Sequence, residues 1–169
     1  MKKNILILGG YSKNNIEWIE NVKSICNLDN NVFIVKYDNW YNYKEMDFNK
    51  EIEKILSIIN NEHIDIIIAK SIGIYLLTKL KDIIKLKNII FIGYPLEVLK
   101  KENIDIKDAI KKMNKENKLY IIQQEKDPLC SYNKLKNMFN NEIKLIKIDG
   151  NDHAYDNYHE LINLINKII

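Results

Sequence analysis

Short apolar runs alternate with longer amphipathic segments along the whole chain, and this alternation restricts the fold more than any other feature. The apolar runs are nearly continuous in Ile, Leu and Val, which is typical of strands covered on both faces. Alternating strands and helices predict right-handed crossovers and a parallel sheet between layers of helices. The predicted strands are Asn4–Leu8, Asn31–Tyr37, Ile64–Ala69, Asn88–Gly93, Lys118–Gln123 and Ile143–Ile148.

Helices are predicted between these strands. In the second helix, Ile52, Ile55, Leu56 and Ile59 recur at i, i+3, i+4 and i+7 and so form one apolar face. We therefore expect an α/β fold, a three-layer α/β/α sandwich with about six parallel strands, formed as one domain over residues 1–169. The predicted helices are Ile16–Cys26, Phe48–Asn60, Ile72–Lys81, Ile106–Asn114, Tyr132–Phe139 and Tyr158–Ile168.

Composition and charge exclude several classes of function. The 26 basic and 23 acidic residues are mixed along the chain and give a net charge of +3, so no basic stripe indicates nucleic-acid binding. No run approaches the ~18 apolar residues of a membrane span, and the apolar run before Gly9 is too short for a signal peptide. Cys26 and Cys130 are too few for a disulfide framework, and no Cys/His spacing resembles a metal site. We expect a cytoplasmic protein without a metal.

Ser71 lies between an apolar strand and a helix, in the pentapeptide Ala69-Lys70-Ser71-Ile72-Gly73. This segment approximates the nucleophile elbow Gly-x-Ser-x-Gly, whose sharp turn exposes the serine hydroxyl above the sheet. Small residues flank such a serine because the strand and helix backbones crowd the turn, and Ala69 takes the place of the first glycine. We expect Lys70 to point away from the site. The alternative role for Ser71 is that of a helix N-cap.

Two later loops each follow a predicted strand and carry a candidate catalytic residue. Asp127 lies in the segment 124–130, and His153 lies in the segment 149–155. Because ligands of parallel sheets bind beyond the carboxyl ends of the strands, both loops are expected on the same edge as Ser71. Histidine can accept the serine proton as general base, and a carboxylate can orient the imidazole.

Each of these residues has a competitor or a simpler role. Asp127 precedes Pro128 and could merely start a turn. Asp149 and Asp152 are other acids, but both lie too near His153 in sequence to be its partner, and Asp152 is expected to shape the loop. The remaining histidines, His63 and His159, are expected at the surface.

On these motifs the chain resembles the small, lidless serine hydrolases of the α/β-hydrolase superfamily, in particular its YdeN-like and dienelactone-hydrolase-like members. The acid loop of that family, roughly Gly-x-x-Asp-x-x-[Val/Cys], fits residues 124–130 except at Gln124. The histidine loop Gly-x-x-His fits residues 150–153. The first strand of the family usually ends in His-Gly before an oxyanion residue, whereas this chain reads Gly9-Gly10-Tyr11.

The resemblance implies a minimal α/β-hydrolase fold with the strand order 2-1-3-4-5-6. It implies Ser71 as nucleophile, His153 as base and Asp127 as acid, with backbone N–H groups of Tyr11 and Ile72 in the oxyanion hole. The expected enzyme is a serine hydrolase that cleaves a small carboxylic ester or related acyl compound through an acyl-serine intermediate, with no cofactor. No insertion after the fourth strand is long enough for a lid, so we expect a shallow site.

Aromatic residues after the first, second and fourth strands are candidates for contact with substrate. We expect Tyr11, Trp40 and Tyr94 to bind substrate, and Tyr94 is followed by proline, as in dienelactone-hydrolase-like members. Trp40, Tyr41 and Tyr43 could wall a pocket or simply pack on the domain. Trp18, on the first predicted helix, is expected in the core.

Two other functions stay open at this stage. The departures from the family pattern at Gly9, Ala69 and Gln124 would suit a catalytically silent α/β-hydrolase-like domain that binds a protein or a small ligand. A weaker alternative is a flavodoxin-like binding domain that cradles a phosphate with the Gly9-Gly10 loop. No Gly-x-Gly-x-x-Gly or Gly-Lys-[Ser/Thr] motif accompanies that loop.

Overall fold

Six parallel strands form one sheet in the order β2-β1-β3-β4-β5-β6, as predicted. The structure is a computed structural model that describes residues 2–26, 29–42, 44–85 and 88–168. The strands are β1 (Asn4–Leu8), β2 (Asn31–Val35), β3 (Ile66–Lys70), β4 (Asn88–Ile92), β5 (Lys118–Gln124) and β6 (Lys144–Ile148).

Helices flank the sheet and bury its apolar faces. Helix α1 packs against α8, and helices α3 and α6 pack against α4. The predicted α/β/α fold class is therefore confirmed. Within the described ranges, no helix is both long enough and apolar enough to cross a membrane. The helices are α1 (Asn15–Cys26), α2 (Asn39–Asn42), α3 (Phe48–Asn61), α4 (Ile72–Thr78), α5 (Leu96–Lys101), α6 (Lys107–Glu116), α7 (Tyr132–Phe139) and α8 (Tyr158–Ile168).

The central strands place three loops on one edge of the sheet. Every residue of β3 is buried, and its last residue, Lys70, pairs with Ile92 at the end of β4. Ile92 pairs in turn with Ile122 on β5, and Gln124 at the end of β5 pairs with Ile148 at the end of β6. Because these strands are parallel and end at similar levels, the segments that follow β3, β5 and β6 leave the sheet at the same edge.

Two short helices differ from the sequence-based prediction. Helix α2 has four residues and α5 has six, which is too short for an apolar period to be recognised. Both lie in the connections after β2 and β4, where loops were predicted. Helix α4 ends at Thr78 rather than at Lys81, and β2 ends at Val35 rather than at Tyr37. The Tyr37 side chain is buried and donates a hydrogen bond to the carbonyl of Gly9, directly after β1, at 3.2 Å.

Candidate active site

Ser71 forms a strained turn directly after β3. Its φ is 51° and its ψ is −117°, in a region that non-glycine residues rarely occupy, and such strain is concentrated at functional sites. The Ser71 N–H donates to the Ile92 carbonyl at 3.0 Å, which ties the turn to β4. The Ser71 side chain makes no capping hydrogen bond to helix α4. The structure therefore does not use this hydroxyl as an N-cap.

Small residues around Ser71 permit the close packing that the turn requires. A Cβ atom at Gly73 would lie 2.9 Å from the Gly9 carbonyl oxygen, so only glycine lets helix α4 begin this close to the end of β1. Ala69 is fully buried and pairs with Leu8 on β1 and Phe91 on β4. The alanine at this position thus forms part of the packed core.

A continuous line of hydrogen bonds joins Ser71, His153 and Asp127. The distance from His153 Nε2 to Ser71 Oγ is 3.0 Å, and that from His153 Nδ1 to Asp127 Oδ2 is 2.7 Å. Both distances lie within the reach that proton transfer between a nucleophile, a base and an orienting acid requires. The ionised Asp127 carboxylate can only accept a hydrogen bond, so the neutral imidazole carries its proton on Nδ1 and donates it to Asp127. Nε2 is then free to accept the proton of Ser71.

The carboxylate of Asp127 is buried among hydrogen-bond donors. Gln123 Nε2 and the Tyr155 hydroxyl donate to Oδ2 at 3.0 and 2.7 Å. The N–H groups of Leu129 and Cys130 donate to Oδ1 at 2.8 and 3.3 Å. These bonds, made in addition to the one with the imidazole, fix the position of the acid. The Asp127-Pro128 pair does form a turn as well, because the Leu129 bond closes it.

The ionised form of Asp127 is favoured. Burial acts to raise the pKa of this carboxyl, but the hydrogen bond and charge of His153 oppose that effect, together with hydrogen bonds from Tyr155 and Leu129. The net result is a pKa below the ordinary value of an aspartate. Asp127 is therefore an anion at neutral pH, as an orienting acid must be.

Gln124 holds the loop that carries His153. Its Oε1 accepts hydrogen bonds from the backbone N–H groups of Asp152 and His153 at 3.1 and 3.2 Å, and its Nε2 donates to Asp152 Oδ1 at 3.0 Å. The side chain passes close over Gly150, where a Cβ would lie 2.4 Å from Gln124 Cδ. Sequence reasoning treated Gln124 only as a departure from the family pattern and missed this role.

Tyr155 supports the same loop from within the core. Its hydroxyl accepts from the Gln124 N–H at 3.0 Å and donates to Asp127, while its carbonyl accepts from Trp18 Nε1 at 3.0 Å. A Cβ at Gly93, whose φ is +66°, would lie 2.6 Å from the Tyr155 ring. His153 and Tyr155 themselves adopt positive φ angles of 62° and 55°. The loop is thus strained locally and held by its contacts.

A cavity of about 670 Å³ opens over Ser71 and His153. Val98, from helix α5, and Leu129 contribute apolar wall. Trp18 also lines it, in addition to its predicted place in the core. The remaining lining residues are mostly polar or charged: Gly10, Tyr11, Ser12, Asn14, Asn15, Glu17, Lys70, Asp152, Ala154, Asp156 and Tyr158.

The expectation that Lys70 points away from the site is wrong. Its side chain lines the cavity beside Ser71 and is only 6% exposed. The ammonium donates to Asn15 Oδ1 at 3.1 Å and lies 5.0 Å from the centroid of the Trp18 ring. The physical reason is that Asn15 and Trp18, on helix α1, offer a polar acceptor and an aromatic face next to the turn.

Of the two backbone positions predicted for the oxyanion hole, one lines the cavity and the other directly follows Ser71. Tyr11 lines it, and the Tyr11 carbonyl accepts from Asn39 Nδ2 at 2.9 Å and from Trp40 Nε1 at 3.1 Å, which anchors the backbone there. Ile72 is the first residue of helix α4, where N–H groups have no acceptor within the helix.

Little room is left for a side chain at position 9, where the resemblance led us to expect histidine. A Cβ at Gly9 would lie 3.0 Å from Ile19 Cγ2 and 3.1 Å from the Trp40 ring. Trp40 fills the space that a larger residue at position 9 would need. The indole N–H of Trp40 donates to the Tyr11 carbonyl and so helps to hold the backbone of a residue that lines the cavity.

Two of the three residues predicted to contact substrate do not line the cavity. Trp40 is fully buried against Tyr37, with ring centroids 4.6 Å apart, and does not line the cavity. Tyr94 is 2% exposed, packs edge-to-face on Phe139 and lies outside the cavity wall as well. Burial of these large aromatic rings in the core stabilises the fold, and it leaves neither ring with a surface that a ligand can contact. Tyr11, the third, is 45% exposed and does line the cavity.

The other aromatic candidates do not wall the cavity. Tyr41 is 54% exposed and does not line it, and Tyr43 lies outside the described residues. Asp152 shapes the histidine loop as expected, since its carboxylate accepts from Gln124 and from the Ala154 N–H. In the part of the chain that the structure describes, no group of His, Cys, Asp and Glu is arranged to hold a metal ion.

The competing histidines are at the surface, as predicted. Both His63 and His159 are exposed, and the closest acid to His63 is Asp65, 3.6 Å away. Neither lines the cavity. His153 is therefore the histidine that reaches Ser71.

The fold and the elbow define the chain as a protein of the α/β-hydrolase class, and solved structures agree with this. A protein of the alpha/beta superfamily from Xanthomonas campestris pv. campestris matches with a TM-score of 0.75 at 10% identity, over 99% of this chain and 97% of that one. An alpha-beta serine hydrolase homologue from Coxiella burnetii matches with a TM-score of 0.71 at 15% identity, over 98% and 84%. The ydeN gene product from B. subtilis matches with a TM-score of 0.69 at 12% identity, over 99% and 98%. At these identities the likeness is one of fold.

The family follows from the sequence comparison. The model of the alpha/beta hydrolase domain matches residues 41–161, which is more than half of the chain. The chain belongs to the alpha/beta hydrolase domain family, and by that membership it is a hydrolase. A comparison with curated proteins found no match.

Proposed function

We propose that the chain hydrolyses a carboxylic ester or a similar acyl compound through an acyl-serine intermediate. The observation that carries this proposal is the unbroken line of hydrogen bonds from Ser71 Oγ through His153 to the buried Asp127 carboxylate. A serine hydroxyl alone is a weak nucleophile at neutral pH, and an adjacent oriented base is what activates it.

In the first half-reaction, Ser71 Oγ attacks the ester carbonyl carbon while His153 Nε2 takes the hydroxyl proton. The tetrahedral intermediate then expels the alcohol, which leaves with the proton from His153. In the second half-reaction, His153 takes a proton from water, and the hydroxide formed attacks the acyl carbon. The acid is released and Ser71 regains its proton. Asp127 stays ionised throughout and stabilises the imidazolium that forms in each step.

The backbone N–H groups of Tyr11 and Ile72 are proposed to stabilise the oxyanion. Loss of one donor from such a hole typically costs ~10²–10³ in rate. The cavity volume of about 670 Å³ suits a small acyl compound as substrate. We infer that one domain, spanning residues 1–169, carries this chemistry and that it uses no cofactor.

The test is turnover of 4-nitrophenyl acetate by Ser71→Ala and by a matched control, Ser12→Ala. Ser12 is a serine in the same cavity, and its hydroxyl is hydrogen-bonded to Asn15. We expect Ser71→Ala to lose at least ~10³-fold in kcat/KM while Ser12→Ala keeps most of it. Circular dichroism should show both variants folded. Equal turnover by folded Ser71→Ala and wild type would contradict the proposal, and a folded wild type without turnover would favour a silent binding domain.

A further inference from the structure

A buried lysine shares the cavity with the proposed nucleophile. Lys70 is the residue before Ser71, is only 6% exposed, and lines the same wall as Ser71 and His153. Lysines are rarely buried to this degree unless an opposite charge pairs with them. A cation in this position therefore calls for a partner.

The protein provides that partner only in part. An ammonium has three N–H donors. Across the described residues, the hydrogen-bond acceptor found for Lys70 is Asn15 Oδ1, and the other close group is the face of Trp18. A neutral amide and an aromatic ring do not neutralise the charge. Two donors remain for a group that enters the cavity.

The carboxylates that face Lys70 are otherwise occupied or exposed to water. Asp127 is saturated by donors around His153, and Asp152 is held by Gln124 and the Ala154 N–H. No carboxylate of the described chain comes within ion-pair distance of Lys70.

Two further acids on the wall of the cavity, Glu17 and Asp156, are exposed at its solvent side. Charges in that position are screened by salt and water, whereas a buried charge is screened much less. Among the described residues, Lys70 is the only lysine or arginine that lines this cavity, and it lies next to Ser71.

We propose that the substrate is an ester that also carries a carboxylate, and that the Lys70 ammonium binds this carboxylate while Ser71 attacks the ester carbonyl. Lys70 is then a specificity-determining residue. This inference rests on the proposed function, since it names a substrate class for the same site. An ammonium–carboxylate bond formed away from water is among the strong hydrogen bonds of proteins, so its loss should cost about 10- to 100-fold in kcat/KM.

The experiment compares two pairs of esters that differ in one charge. In the first pair, 4-acetoxybenzoate and its methyl ester, the carboxylate lies on the alcohol side. In the second, mono-4-nitrophenyl adipate and 4-nitrophenyl hexanoate, it lies on the acyl side. The measured quantity is the ratio of kcat/KM for the anionic ester to that for its neutral partner, in wild type and in Lys70→Met. Lys79→Met is the matched control, because Lys79 is an exposed lysine whose ammonium lies 4.8 Å from the Tyr75 ring centroid, away from the cavity wall.

We expect the ratio for at least one pair to fall about 10- to 100-fold in Lys70→Met and to stay unchanged in Lys79→Met. Turnover of the esters with the same ratios in wild type and Lys70→Met would overturn this inference and leave the proposed function intact. Failure of the folded wild type to hydrolyse any of the four esters would overturn the proposed function, and this inference with it.

A second measurement needs no variant. Burial lowers the pKa of Lys70 to about 8, against the opposing charges of Asp156, Asp152 and Asp127. The ammonium is therefore lost as pH rises through about 8, while the substrate carboxylate stays ionised. The wild-type ratio for the preferred pair should fall between about pH 7 and pH 9. A ratio that stays constant across that interval would contradict the proposal.

Discussion

The side-chain oxygen of Gln124 accepts a hydrogen bond from the His153 backbone N–H at 3.2 Å and so joins the end of β5 to the loop that carries the imidazole. The neighbouring Asp152 N–H donates to the same oxygen at 3.1 Å. The family pattern has glycine where this chain has Gln124. Gln124 therefore stabilises the loop through side-chain hydrogen bonds that a glycine cannot make, and Gly150 leaves room for the longer side chain.

Truncation of Gln124 should lower activity by displacing His153. Gln124→Ala leaves the N–H groups of Asp152 and His153 without their acceptor, and an unsatisfied donor costs about 1–3 kcal/mol. We expect kcat/KM for 4-nitrophenyl acetate to fall ~10-fold or more, with a reduced free energy of unfolding in urea. Glu125→Ala, which removes only an exposed ion pair with Lys147, is the control and should change neither quantity much. A fully active Gln124→Ala would show that the loop does not depend on this side chain.

Removal of the Tyr155 hydroxyl should raise the pKa of Asp127. In Tyr155→Phe the carboxylate loses a donor at 2.7 Å, and the Gln124 N–H loses its acceptor. Because a hydrogen bond to the charged form lowers a carboxyl pKa, its loss acts in the opposite direction. NMR titration of the Asp127 side chain should detect the rise, and stability should fall by about 1 kcal/mol. Tyr41→Phe, at an exposed position, should leave both unchanged.

Acid should abolish the stability that Asp127 contributes. The pKa of Asp127 is lowered in the folded state, so the unfolded chain binds more protons and stability falls as pH decreases. The contribution is present above the ordinary aspartate pKa of about 4 and is lost as pH falls through the folded value. The difference in free energy of unfolding between wild type and Asp127→Asn should therefore shrink below about pH 4. A difference that stays the same down to pH 2 would contradict this assignment.

The free energy of unfolding of the wild type, measured relative to that of Lys70→Met, should increase as pH rises. The pKa of Lys70 is about 8 in the folded state and 10.5 as the ordinary value, so between these limits the unfolded chain binds more protons. Stability then rises with pH through that window, by about 3 kcal/mol in all. Denaturant titrations of both proteins from pH 7 to pH 10.5 measure the difference. If the free energy of unfolding depended on pH in the same way for both proteins, folding would not lower the pKa of Lys70, and this prediction would be wrong.

Much of the fold follows from local sequence pattern. The strand β1 and the helices α7 and α8 have the predicted bounds. The strand order was taken from the family resemblance and is also confirmed. The short helices α2 and α5 were not predicted, since fewer than two turns give no period to detect.

The candidate site was predictable where the side chain's type and its place after a strand decided its position. Ser71, Asp127 and His153 lie together because parallel strands deliver their loops to one edge. The positions of Trp40 and Lys70 depend instead on packing between elements far apart in sequence. Trp40 fills the space beside Gly9, and Lys70 lies on Trp18, which no local pattern reveals.

The most direct test of the account is the site at which a fluorophosphonate probe reacts. The oxygen of an activated serine attacks the phosphorus of such a probe while the base takes the hydroxyl proton; a P–O bond forms, the P–F bond breaks, and fluoride leaves. Intact-mass and peptide mass spectrometry should show one adduct on Ser71 in wild type and Ser12→Ala, and none in Ser71→Ala. Labelling of His153→Ala should be slower by at least about 10²-fold, since the base is missing. A folded wild type that stays unlabelled, or a Ser71→Ala variant labelled at the wild-type rate, would contradict the proposal that Ser71 is the nucleophile.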